Sequence, residues 1–287
     1  MSVEATHDIQ EYFDLTFSNE SASHYMLLLE LDHDMLRACW YHQTKNLITG
    51  FAAYPVSNAS LERAFQQLFA EHTFLKSEFD QCVVSVRTSN YALIPKSSEK
   101  QSSKRWFELS NNMDESNEVL LEYSLVGERI KVLFALDNSI EKVIKSCFIN
   151  SKVIPHIAPR IEHQLGVLKS LHLKDCLIAH ISTDQVDIQA YQDSDLQLAN
   201  SFFQSGHEDI AYYILYTSEV LGINPETTPL TVSGNISIGD DSWKMLSDYW
   251  KKMEVAKPMD RIQISSQLDG YPTSEFDYLT QSLLCAS

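Results

Sequence analysis

Two short stretches carry side chains suited to chemistry. Asp32-His33-Asp34 sets two carboxylates around an imidazole, a set that can bind a divalent ion or tune the imidazole's pKa. In an extended strand Asp32 and Asp34 face one way and His33 the other, so the triplet also reads as the solvated tip of a hairpin, and that reading is favoured. Thr183, Asp184 and Asp187 offer the hydroxyl and carboxylate oxygens that a hard cation such as Mg²⁺ takes. His156 and His163 are separated by Pro159, which should break any helix aligning them, so no shared metal is expected. Ser233-Gly234, following Leu230-Thr-Val, has the composition of a turn. The helix containing Tyr212, Tyr213 and Tyr216 is apolar nearly all round; its rings could stack on a ligand, but a buried core helix is the simpler reading.

The common signatures are missing. No P-loop, Gly-x-Ser-x-Gly, His-Glu-x-x-His or dinucleotide Gly-x-Gly-x-x-Gly occurs. Five scattered cysteines without a C-x-x-C pair fit reduced thiols rather than disulfides or a metal site. The formal net charge of -17 disfavours nonspecific binding to a phosphate backbone, so no nucleic-acid partner is expected. The basic stretch from Lys96 to Arg105 is short and serine-rich, and reads as a loop. With no signal-like start and no run of 18 apolar residues, the reading is of no export, no membrane span and a cytoplasmic location.

The elements that must position these residues occur twice. Leu28 to Tyr41 and Ile178 to Tyr191, about 150 residues apart, each read as an apolar strand, a polar tip with an aspartate, and a strand ending in tyrosine. Around the first copy, strands are predicted near Tyr12 to Phe17 and at His24 to Leu31, Met35 to Tyr41 and Asn46 to Tyr54. A helix capped by Ser57 or Asn58 follows, carrying Leu61, Phe65, Leu68 and Phe69 on one face. Next come strands at Gln81 to Val86 and Tyr91 to Ile94, a helix through Trp106, and a hairpin from Val119 to Ala135 turning at Gly127-Glu128, with no counterpart later. From Ser139 to Leu171 the pattern is helical, broken at Pro155 and Pro159. The second copy continues through strands at Asp175 to Ser182, Val186 to Gln192 and Asp195 to Ser205, a helix from Glu208 to Leu221 capped by Gly222, and a strand from Thr228 to Ser233. A helix from Asp241 to Met253, a last strand from Arg261 to Ser265 and a terminal helix complete it. The lobe boundary falls between Leu171 and Lys174, which gives an N-terminal lobe of 1–172 and a C-terminal lobe of 173–287.

This order resembles the actin, Hsp70 and sugar-kinase superfamily with its RNase H-like lobes. More closely it is similar to an uncharacterised bacterial family with an actin-like ATPase fold, and more distantly to actin-like proteins of type IV pilus assembly. The resemblance implies an α/β chain with a duplicated actin-like ATPase fold: two lobes, each a mixed five-stranded sheet flanked by helices, with a cleft between them. It also implies where a nucleotide would sit. The two phosphate loops fall on the tips at Asp34 and Asp184, and the adenosine turn on Ser233 and Gly234. In the superfamily the phosphate loops carry glycines so that backbone N–H groups approach the phosphates closely. Both tips of this chain lack glycine, and the first brings two carboxylates without a compensating lysine.

The expectation is therefore a non-catalytic protein acting through a protein partner, with no catalytic residues, no resident metal and no cofactor. The alternative is an ATP- and Mg²⁺-binding enzyme with a diverged site built on Asp34, Asp184, Ser233 and Gly234. A binder of another small ligand is a third reading, since fold alone does not fix function.

Overall fold

In the computed structural model the described residues are 9–15, 17, 19–32, 35–56, 65, 68–72, 75, 79–95, 103–109, 111–125, 130–148, 150–256, 259, 261–268 and 276–286. The chain divides into two units, Met1–Glu162 with Met259–Ser287, and His163–Pro258.

The first unit opens with β1 (Gln10–Phe13), β2 (Tyr25–Leu31), β3 (Met35–His42), β4 (Leu47–Pro55) and β5 (Gln81–Val86). All seven residues of β2 are buried, which explains its unbroken apolar run: the strand is covered on both faces. Tyr25, Leu27, Leu29 and Leu31 point into a core with Trp40, Tyr54, Phe65 and Leu68. The β3–β4 connection turns at Asn46, which adopts the left-handed conformation. Of the helix expected after Ser57, Phe65 and residues 68–71 are helical, while Ser57, Asn58 and Leu61 lie outside the described residues.

A separate three-stranded sheet follows, in the order β6 (Tyr91–Pro95), β8 (Ile130–Asp137), β7 (Glu118–Ser124), with α1 (Ser103–Glu108) between β6 and β7 in sequence. Alternation along β8 works as its period-2 pattern requires: Leu133 and Ala135 pack with Ile94 and Phe107, while Leu136 joins the main core. The expected turn at Gly127-Glu128 lies outside the described residues.

Between Ser139 and Leu171 the structure departs from the expected broken helices. After α2 (Asn138–Cys147), capped by Asp137, comes a strand, β9 (Ser151–Pro155), and then one uninterrupted helix, α3 (Ile157–Leu171). Pro155 ends the strand. Pro159 sits in the first turn of α3, where a backbone N–H has no acceptor within the helix, so its absence costs nothing.

The first sheet runs β1-β4-β3-β2-β5-β9, and β15 (Gln263–Ile264) also pairs with β4. Its inner five strands follow one rule: β4–β3 and β3–β2 are antiparallel, β2–β5 and β5–β9 parallel. The second unit obeys the same rule in β12 (Asp195–Phe203), β11 (Gln185–Gln192), β10 (Cys176–Ile181), β13 (Leu230–Gly234) and β14 (Met253–Val255). The duplication extends to irregularities: the β3–β4 register shifts between Trp40 and Tyr41, and the β11–β12 register between Ala190 and Tyr191. The first sheet exceeds the expected five strands because β1 and β15 add to the outer edge of β4.

Three further expectations change. The helix from Asp241 stops at Tyr249 as α5 (Asp241–Tyr249), and Met253 begins β14 instead of ending that helix. The last strand, β15, belongs to the first sheet, and the terminal helix α6 (Asp277–Gln281) packs on β2 and β3 with Phe276 against Phe51 at 4.9 Å between ring centroids. In the second unit α4 (His207–Leu221) packs Ile210, Ala211 and Ile214 on the apolar face of the sheet with Tyr213 half-buried against them, but its other two tyrosines are not core: Tyr212 is 57% and Tyr216 49% exposed.

Candidate functional site

The two tips that the duplication makes equivalent share a backbone bond: Asp32 N–H donates to Met35 O at 2.9 Å and Ser182 N–H to Gln185 O at 2.8 Å. Register then places polar side chains in matching rows just inside each tip. In the first unit Glu30 lies opposite Arg37 on β3 and Ser85 on β5. In the second, His180 lies opposite Asp187 on β11 and Ser233 on β13, and Asp187 in turn opposite Ser201 on β12.

The first row is a buried charge cluster. Glu30 is fully buried, and its Oε2 accepts from Arg37 Nη1 at 3.1 Å and from the Tyr278 hydroxyl of α6. Asp32 Oδ2 sits 3.2 Å from Arg87 Nε and 3.7 Å from Arg37 Nη1. The Arg160 guanidinium lies over the Tyr278 ring, 5.2 Å from its centroid. Burial pushes the Glu30 carboxyl above the usual carboxylate range, against the pull of Arg37, Arg87 and Arg160 towards the charged form. The tip has no compensating lysine in its own sequence, and its carboxylates are compensated by arginines. One of them was findable, because a hairpin closing between Asp32 and Met35 must set Glu30 across from Arg37. His33 and Asp34 lie outside the described residues.

The second row holds one carboxylate, Asp187, with an imidazole and two hydroxyls. His180 Nδ1 is 3.0 Å from Ser233 Oγ, and Ser201 Oγ donates to Asp187 Oδ1 at 2.5 Å. An imidazole beside a serine hydroxyl can take its proton, but acyl chemistry also needs free N–H donors for an oxyanion. The two N–H groups after Gly234 are both engaged, Asn235 N on Ile181 O at 2.7 Å and Ile236 N on Gly234 O at 2.8 Å. The row thus satisfies polar groups on a buried sheet face.

Around the second tip the sequence candidates meet. Asp184 is half-buried at the bend, and Ser233 and Gly234 end the neighbouring β13. Asn235 Nδ2 reaches Thr183 Oγ1 at 3.5 Å, joining the β13 turn to the tip. Gln204, not foreseen from sequence, organises the bend: its side-chain amide donates to Ser182 O and Thr183 O at 2.9 Å each, and its backbone N–H to Asp184 O at 2.9 Å. Gly234 has φ +83°, and a Cβ there would stand 2.1 Å from Ile181 O. Close packing of β13 on β10 is therefore enough to require this glycine. Asp187 is turned to Ser201, and among the described residues no group of three or more His, Cys, Asp or Glu side chains could hold a metal. His156, buried in the first unit, stands 3.4 Å from Thr88 N through its Nδ1.

A sheet of this order, built twice in one chain, defines a class: the actin-like ATPase fold. A protein of Bacteroides thetaiotaomicron VPI-5482 described as having that fold and unknown function superposes with a TM-score of 0.77 at 20% identity, covering 95% of this chain and 100% of that one. A chain of the PilM–PilN type IV pilus biogenesis complex superposes with a TM-score of 0.61 at 12% identity, covering 91% of this chain and 98% of that one. The chain itself belongs to the family described as protein of unknown function (DUF3822), whose model matches residues 14–253. No curated protein matches it. No described helix is long and apolar enough to cross a membrane.

Proposed function

We propose that this chain is a non-catalytic member of the actin-like fold that works through protein interaction instead of ATP hydrolysis. The observation that carries the reading is the second tip. Thr183 and Asp184 put side chains, one of them a carboxylate, where a polyphosphate would need bare main chain, and Gln204 holds the three carbonyls of the bend in place. Such a bend neither attracts a triphosphate nor opens to admit one, so these residues do not fit ATP. At the start of the first tip the Asp32 carboxylate faces Arg87 and Arg37. Gly234, the one residue agreeing with a nucleotide turn, has its packing reason. A fold relative, PilM, occurs in a complex with another protein, PilN, which fits an interaction role.

The second reading, a diverged ATP- and Mg²⁺-binding site on Asp34, Asp184, Ser233 and Gly234, draws on the meeting of Asp184, Ser233 and Gly234 at one end of one sheet. A thermal-shift titration with Mg·ATP separates the two. A nucleotide at about 100 times its Kd would stabilise the native state by about 2.7 kcal/mol. The expected result is an unchanged melting temperature at millimolar Mg·ATP; a rise with concentration would replace the first reading by the second.

A further inference from the structure

Helix α4 has two faces of different character. The inner one packs on the sheet, while the outer one exposes Tyr212, Tyr216 and Val220 at 57, 49 and 62%. Their spacing of four residues aligns them in one stripe along the helix. The Tyr212 and Tyr216 rings stack at 5.7 Å with 10° between planes, and behind them Tyr213 stacks on Phe202 of β12 at 4.6 Å. This arrangement is ordered before any partner arrives, so binding there loses little side-chain entropy.

The charges around the stripe choose among partners. Every Asp, Glu, Lys or Arg of α4 is acidic: Glu208, Asp209 and Glu219. At 100° per residue all three fall on the same side of the helix as the tyrosines. Glu208 and Glu219 are exposed, and Asp209 is held at the helix start by Ser205, whose N–H and hydroxyl donate to it at 2.8 and 2.6 Å. A second copy of this chain would bring the same acidic rim and a net charge of -17 against itself, and nucleic acid or an anionic membrane would be repelled as well. A cationic surface is attracted by the carboxylates and by the negative faces of the exposed rings.

We infer that the outer face of α4 docks a basic amphipathic helix of a partner protein, with its apolar residues on Tyr212, Tyr216 and Val220 and its Lys or Arg side chains on Glu208, Glu219 and the ring faces. A ridge of side chains four apart is the shape that fits the groove of a second helix. The inference rests on the interaction reading above and names the class of partner.

The test uses the full chain and a fluorescent amphipathic helical peptide of Leu, Lys and Arg, with a Leu and Glu peptide of the same pattern as control. Binding is followed by anisotropy at two salt concentrations, and the melting temperature of each variant is checked, since all the substituted residues are exposed. The expected result is that wild type binds the basic peptide and not the acidic one, and more weakly at high salt. Tyr212→Ala with Tyr216→Ala weakens binding at least tenfold. Glu208→Lys with Glu219→Lys does the same and transfers binding to the acidic peptide. Equal binding of the basic peptide by wild type and both double variants would overturn the inference, as would a wild-type dimer in sedimentation that Tyr212→Ala with Tyr216→Ala dissociates. Repeating the titration with Mg·ATP keeps the two readings apart: a nucleotide-induced melting shift counts against the interaction role, whereas loss of the peptide result counts against this face alone.

Discussion

At position 234 a single methyl group separates a stable strand end from a clash. Gly234→Ala must meet the Ile181 carbonyl and hold a positive φ, so we expect a loss of at least about 2 kcal/mol in urea unfolding. Gly239→Ala, also at positive φ but with open space around the new methyl, is expected to lose only about 1 kcal/mol; equal losses would show that packing plays no part. Glu30 gives a signed pH dependence. Its folded pKa is raised above 4.5, so between 4.5 and that value the folded state holds a proton the unfolded chain has released, and stability falls as pH rises through the window. Glu30→Gln removes this slope. The wild-type stability relative to the variant is expected to decline with rising pH above 4.5 and to be flat below it. His42 and His163, whose pKa values burial lowers below 6.5, act with the opposite sign but equally in both proteins, and cancel in the difference. A difference independent of pH would refute the assignment.

Among the elements, α3 and the two outermost parallel strands are where local pattern and tertiary structure part. Proline in a helical stretch reads as a break, yet Pro159 occupies the one turn that tolerates it. Pro159→Ala is therefore expected to change stability by less than about 0.5 kcal/mol, while Val167→Pro in the middle of α3 costs about 3 kcal/mol or more. A large loss for Pro159→Ala would mean that the ring itself packs. Strands β9 and β14 escaped the sequence reading for one reason. Each is short, each lies at the parallel end of its sheet, and each forms by pairing in parallel with a strand far away in sequence, so nothing in Ser151–Pro155 or Met253–Val255 announces it. Tyr212 and Tyr216 of α4 depart in the opposite direction, because an apolar outer face looks like a buried one until the neighbouring elements are in place.

Across the whole molecule, the unit built on the first sheet includes both chain termini. The C-terminal segment brings Phe276, Leu279 and Cys285, all fully buried, onto the first sheet, and Tyr278 onto Glu30. Phe276→Ala is expected to destabilise this unit by about 3–5 kcal/mol, with hydrogen exchange speeding in β2 and β3 and not in β10 and β11. Equal acceleration in both sheets would mean that the two units unfold together. The division at Glu162/His163 and again at Pro258/Met259 lies in no proline- or glycine-rich linker, and the first boundary runs through α3.

From its own residues the chain determined the repeated strand-tip-strand plan, the two glycine-free tips and the element order that carries the resemblance to the actin-like fold, because hydrophobic periodicity and missing glycines are properties of local sequence. Hairpin arithmetic also held Glu30 opposite Arg37 and His180 opposite Asp187. Tertiary structure alone decided that Arg87, Arg160 and Tyr278 gather near Glu30 and Asp32, that Gln204 fastens the second tip, that the last segment returns to the first sheet, and that Tyr212 and Tyr216 face outward. Each of these depends on contacts between residues far apart along the chain, whose pairing is settled by how the sheets and helices bury their apolar faces and not by the residues beside them.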